Sequence, residues 1–108
     1  MVAQSVIETV QGYLDALKRQ GVPVEFAVLY GSFARGEQHE WSDIDLMVIS
    51  PLFDAPKKSA DVDLLWLATL DSDVRIEPVA IGAQQWREDD SIGLIEIARR
   101  EGQIIQPH

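Results

Sequence analysis

The chain has 108 residues, enough for one small domain with one modest core and too few for two. At 46% apolar and 25% charged it has a globular composition, and the absence of cysteine excludes disulfides and thiolate metal sites and makes a cytoplasmic location the default. A formal net charge of −9 argues against direct binding to a nucleic-acid backbone and fits either a basic protein partner or carboxylates gathered around a divalent cation.

In chain order, Met1 to Gln4 lacks the basic start of a secretory signal, and no apolar run approaches the roughly 18 residues of a membrane span. Residues 5–20 read as an amphipathic helix, with Val6, Val10, Tyr13, Leu14 and Leu17 at helical spacing, Ser5 and Glu8 as a capping box, and Gly21 and Pro23 as the stop. Val24 to Tyr30 reads as a buried strand that breaks sharply at Gly31-Ser32, where a short helix opens. A polar stretch runs to Ser42. Ile44 to Ile49 is a second apolar strand, ended by Ser50-Pro51, and a loop follows to Lys58. A second long helix starts at Ser59 and carries Val62, Leu65, Trp66 and Leu70 as its core stripe. Val74 to Ile81 reads as a third strand, with Pro78 placing it at an edge or on a bulge. Ser91 to Arg100 is a short helix stopped by Gly102, and Gln103 to Gln106 adds a last short strand. Alternating helices and strands predict an α/β (α+β) fold, a small mixed sheet with helices packed on it, as one domain over 1–108.

The informative stretch is Gly31-Ser32-Phe33-Ala34-Arg35-Gly36 followed by Ser42-Asp43-Ile44-Asp45-Leu46. In a strand, residues two apart share a face, so Asp43 and Asp45 aim their carboxylates at one spot while Ile44 and Leu46 point into a core. Two such carboxylates repel unless a cation lies between them, and hard oxygen donors suit magnesium. On its own an Asp-x-Asp is common and reads first as a solvated strand end. Gly31 lets the backbone turn and approach a ligand, and the amides of a helix start together with the Ser32 hydroxyl attract phosphate. Alone, this reads as a plain turn. Together, a phosphate cradle ends one strand and a metal-ligand pair begins the next, a pairing suited to a nucleoside triphosphate and its magnesium.

Gly-Ser, ten residues (33–42), then Asp-x-Asp resembles the signature of the DNA polymerase β-like nucleotidyltransferases, and the fuller form resembles the minimal nucleotidyltransferase (MNT) branch. The strong motif covers residues 28–49, and the order of elements extends the resemblance over most of the chain. The resemblance implies a third carboxylate on a neighbouring strand, for which Glu77 in Arg75-Ile76-Glu77-Pro78 is the best match; a solvent-facing edge strand is the alternative for that residue. It implies that Asp43, Asp45 and Glu77 hold two magnesium ions, with Glu77 available as base, and that a hydroxyl attacks the α-phosphorus of ATP and releases pyrophosphate. Gly31 and Ser32 would bind the outgoing phosphates. Arg35 either joins them or pairs at the surface with Glu37 or Glu40.

The resemblance further implies an antitoxin that places AMP on a tyrosine of a separate, small helical HEPN-type toxin. Two alternatives stand beside it. One is an antitoxin that neutralises its partner by contact alone. The other is transfer to a small molecule, which the short chain disfavours because an added substrate domain is then usual. His39 reads as a surface imidazole. Asp61 and Asp63 read as acids of a helix's first turn, and Asp71 and Asp73 as turn residues. Trp41 and Trp86, in polar surroundings, are available to stack on a base or on a partner.

Overall fold

The computed structural model describes residues 3–39, 42–54, 56–89 and 93–108. Helix α1 (Gln4–Arg19) is followed by strand β1 (Phe26–Tyr30), the single-turn helix α2 (Ser32–Arg35) and strand β2 (Ile44–Ser50). A 3-10 turn (Pro51–Phe53) leads to helix α3 (Ser59–Thr69) and strand β3 (Ile76–Gly82). Helices α4 (Ala83–Glu88) and α5 (Gly93–Glu101) and strand β4 (Gln103–Ile105) complete the order. The described residues form one four-stranded sheet, β3-β2-β1-β4, in which β2 pairs parallel with β3 and β1 pairs antiparallel with both β2 and β4. This is the mixed sheet that the sequence predicts, and β3 lies at the edge that Pro78 calls for.

Because side chains alternate along each strand, the sheet has two buried faces. Ala27, Leu29, Ile44, Leu46, Val48, Ile76 and Ala80 pack with α1 and α3 in the larger cluster, around Tyr13, Leu14, Leu17 and Leu65. Val28, Met47, Ile49 and Ile81 pack on the other face with Ile95 and Ala98 of α5 and with Ala83 of α4. The buried Tyr13 hydroxyl donates to the Leu65 carbonyl at 2.7 Å and so ties α1 to α3 across the core.

The structure departs from the sequence expectations in five places. Helix α1 is capped by Ala3 without a side-chain bond, so the Ser5–Glu8 capping box does not form; its C-terminus closes as expected, with Val22 N–H donating to Leu17 and Gly21 N–H to Lys18. Strand β1 begins at Phe26, and β3 runs Ile76–Gly82 because Val74 and Arg75 belong to the preceding turn. On α3, Leu65, Ala68 and Thr69 face the core, while Trp66 and Leu70 are exposed. Helix α4 was not anticipated: its first amides, Gln84 and Gln85, donate to the Asp54 carboxylate, a cap supplied from far away in sequence. Trp86 is half-buried, edge-on to Phe26 at 6.0 Å with the Arg99 guanidinium over its ring at 5.5 Å, so it packs rather than waiting for a base. Trp41, Glu40 and Ser91 lie outside the described residues.

Candidate active site

Three strands bring their ends together at one end of the sheet. Tyr30 at the end of β1 is the register partner of Asp45 near the start of β2, and Asp45 is the parallel partner of Glu77 near the start of β3. The three residues therefore form a row across the sheet on the face of Val28 and Met47. Tyr30 is buried at one end of the row, Asp45 half-buried in the middle and Glu77 exposed at the other end. Asp43, exposed and just ahead of β2, adds its carboxylate to the same group.

Electrostatics record how close these acids lie. Burial, a hydrogen bond to Asp43 and the charges of Asp43 and Asp45 push Glu77 above its ordinary value. Burial and the charge of Asp43 push Asp45 up, against a downward pull from Arg35. Burial raises Tyr30 to about 12, with the charges of Asp45 and Glu77 adding to the rise. Crowded like charges disfavour ionisation, and a cation placed among these carboxylates would offset that repulsion.

The Gly31 turn lies directly against this row. Gly31 has φ 77° and ψ −151°, a conformation open in practice to glycine alone. A Cβ at this position would stand 2.2 Å from Asp45 Oδ2. The backbone that enters α2 thus passes the Asp45 carboxylate with no side chain between them. Ala34 and Arg35 N–H both donate to the Gly31 carbonyl, so the turn winds straight into α2, whose opening amides have no acceptor within the helix. Arg35 is exposed on the last turn of α2, with Nε 3.0 Å from Glu37 Oε2 and Nη1 3.8 Å from Glu101 Oε2. Glu37, the first cause, Glu101 and Asp45 all raise its pKa.

All six sequence-predicted site residues—Gly31, Ser32, Arg35, Asp43, Asp45 and Glu77—fall at this end of the sheet. As the side chains lie, no group of three or more His, Asp and Glu among the described residues forms a closed cation site. The donor chemistry nevertheless suits a divalent ion: the carboxylates of Asp43, Asp45 and Glu77 gather on or just ahead of two adjacent strands, and burial together with their like charges raises Asp45 and Glu77 above their ordinary values. Sequence reasoning passed over Tyr30; its place in the row follows from antiparallel register with Asp45, which cannot be read from β1 alone.

A family model described as a nucleotidyltransferase domain matches residues 10–103. Among solved structures, one from Sulfolobus solfataricus, assigned as a nucleotidyltransferase, shares 11% identity at a TM-score of 0.64, covering 91% of this chain and 77% of that one. A toxin–antitoxin crystallised with AMP-PNP shares 27% identity at a TM-score of 0.54, covering 91% of this chain and 73% of that one. A mutant of the toxin–antitoxin MntA–HpeT with two Asp-to-Glu replacements shares 22% identity at a TM-score of 0.57 with the same coverage. Among curated proteins, none matches this sequence.

Proposed function

The chain belongs to the nucleotidyltransferase domain family, and on that premise we propose that it moves AMP from ATP onto a hydroxyl of a partner protein, as the antitoxin of a toxin–antitoxin pair. The observation that carries the reading is the row Tyr30–Asp45–Glu77 with Asp43 beside it and the Gly31 backbone against Asp45. A phosphate cradle and a carboxylate group meet there, as adjacent ends of a triphosphate and its counter-ions require. The likeness to a toxin–antitoxin crystallised with AMP-PNP supports an adenine nucleotide and a protein partner. The resemblance to the MNT branch supports a small helical HEPN-type protein as that partner and its tyrosine as the acceptor.

Asp43, Asp45 and Glu77 would hold two magnesium ions, which when bound orient the triphosphate and offset charge on the attacking and leaving oxygens. The chain's own residues do the rest. The α2 amides and the Ser32 hydroxyl hold the outgoing phosphates, and Arg35, exposed and paired only with surface acids among the described residues, exchanges those acids for phosphate oxygen. The acceptor hydroxyl attacks the α-phosphorus, the bond to the β-phosphate breaks, and pyrophosphate leaves. Glu77, the most exposed carboxylate of the row, takes the hydroxyl proton.

Incubating the chain with labelled ATP, magnesium and its helical partner tests this. Asp43→Asn and Asp45→Asn abolish labelling while thermal stability holds or rises, because each removes one of several crowded negative charges. Full labelling by Asp43→Asn refutes the assignment. A contact-only antitoxin is the second reading, favoured by the exposure of Glu77 at the edge of the sheet, where a third carboxylate would be needed. Co-expression decides: equal protection of cells by the wild-type and Asp43→Asn chains, with no nucleotide mass on the partner, selects contact over chemistry.

A further inference from the structure

Helix α3 buries one face and leaves the other apolar. Trp66 is 49% exposed, Leu67 59% and Leu70 72%, and Val74 in the following turn is 73% exposed. Residues three and four apart share a helix face, so Trp66, Leu67 and Leu70 form one patch at the C-terminal end of α3, and the turn carries Val74 on from it. Large side chains this exposed on neighbouring positions, rimmed by polar residues, mark an interaction surface.

The rim is acidic and hollow. Asp71 and Asp73, between Leu70 and Val74, line a cavity of about 420 Å³ that α1 closes with Glu8, Asp15 and Arg19. Asp73 is engaged by Arg75 at 2.7 Å, and Asp15 by His108 at 2.6 Å. Glu8 and Asp71 make no ion pair with a described residue. Four carboxylates against two guanidiniums, Arg19 in the wall and Arg75 on Asp73, leave the hollow negative.

We propose that this composite surface, the Trp66–Leu67–Leu70–Val74 patch and the adjoining acidic cavity, docks a basic amphipathic helix of a separate protein. The apolar stripe of that helix covers α3, and an Arg or Lys beside the stripe enters the cavity and meets Glu8 and Asp71. The net charge of −9 steers such a partner. Position gives the surface its use. Val74 lies three residues before Glu77, and three residues span at most about 10 Å. The Arg75 carbonyl accepts from Ile44 N–H at 2.8 Å, so the turn is fastened to the strand that carries Asp45. A partner seated on α3 is therefore held at the carboxylate end of the sheet. The proposal rests on the transferase reading only for what the docked partner offers there; docking itself needs no nucleotide.

The test uses a synthetic helical peptide of about 18 residues, five turns, with Leu at i, i+3, i+4 and i+7 and flanking Arg. Controls carry Glu in place of Arg or Ser in place of Leu. Amide shifts in a titration of the full chain are expected at residues 66–74 and in the cavity wall, with the Arg peptide only. Binding weakens with salt, and about tenfold or more in Leu70→Asp and in Asp71→Lys. Because Leu70 is exposed, an unchanged circular dichroism melt for Leu70→Asp is expected, and Leu70→Ser is a milder second variant. Asp43→Asn leaves peptide binding intact while losing transfer, so a failure of the catalytic reading and a failure of docking are told apart. Shifts elsewhere, equal binding of the Glu peptide, or binding indifferent to Leu70→Asp overturns the proposal. So does concentration-dependent self-association abolished by Leu70→Asp, which assigns the face to a second copy of this chain.

Discussion

Replacing Gly31 by alanine tests the contact on which the site depends. Two separate costs arise. The first is the backbone: φ 77° with ψ −151° excludes a Cβ on intrinsic grounds, a cost of about 1–3 kcal/mol. The second is the collision, since the new Cβ would stand 2.2 Å from Asp45 Oδ2, 3.1 Å from Cγ and 3.3 Å from Cβ. The carboxylate is the far end of a side chain and can rotate away, so the collision acts mostly on function: Asp45 leaves its place beside Glu77. For a domain of this size, roughly 4–8 °C of Tm follows each kcal/mol, so the backbone cost lowers Tm by on the order of 5–20 °C. Urea titrations of Gly31→Ala, Asp45→Ala and the double variant separate the two costs. The backbone part persists when Asp45 is truncated, and the collision part vanishes. Labelled ATP then reads function, and Gly31→Ala is expected to lose transfer even where it is folded. A Gly31→Ala chain with native Tm and native transfer would falsify the placement of this turn against Asp45.

Two further outcomes concern the scaffold. Asp54 is held below the ordinary carboxylate range chiefly by the Gln84 amide, with help from Gln85, Arg87 and Ala83. A carboxylate whose pKa is lower in the folded state stabilises the fold above the unfolded value and loses that contribution as pH falls through the folded one. Asp54→Ala is thus expected to lower Tm at neutral pH and to leave a shallower acid decline, measured by melts between about pH 2 and 7; an unchanged acid limb argues against the cap. Tyr13→Phe removes the bond to the Leu65 carbonyl and is expected to cost about 1 kcal/mol in urea denaturation without altering the carboxylate row; a neutral variant would mean that α1 and α3 are joined by apolar packing alone.

What the sequence made legible follows from where each signal is local. Strands β1 and β2 carry nearly continuous apolar runs because both are central and covered on two faces, so their presence and the break at Gly31 stand out. Asp43 and Asp45 follow from alternation within one strand. Helix α4 did not stand out because it is only six residues long and the acceptor for its Gln84 and Gln85 amides, Asp54, comes from the other side of α3 in the chain. The face of α3 was misjudged because Val62, Leu64, Leu65, Trp66, Leu67, Ala68 and Leu70 are apolar nearly all round the helix. Periodicity then selects no side. What selects it is tertiary: Tyr13 bonds to Leu65, and the larger cluster closes on Leu65 and Ala68.

Glu77 shows the same limit from the side of function. Its candidacy as third carboxylate rests on resemblance, because nothing local to Arg75-Ile76-Glu77-Pro78 says which residue faces Asp45. An antiparallel hairpin sets register through its turn, whereas the β2–β3 pair is parallel and its register is set by the whole crossover through the 3-10 turn and α3. A slip of one residue would turn Ile76 or Pro78 toward Asp45 and send Glu77 into the larger cluster beside Ile44 or Leu46. Burying an unpaired carboxylate there is costly enough to forbid it. The apolar residues on either side of Glu77, both buried, therefore hold it on the face of Asp45. The same crossover delivers Leu70 and Val74 to that end of the sheet. One topological choice, a parallel β2–β3 pair, thus positions Glu77 opposite Asp45 and brings the exposed apolar turn to the same end of the sheet.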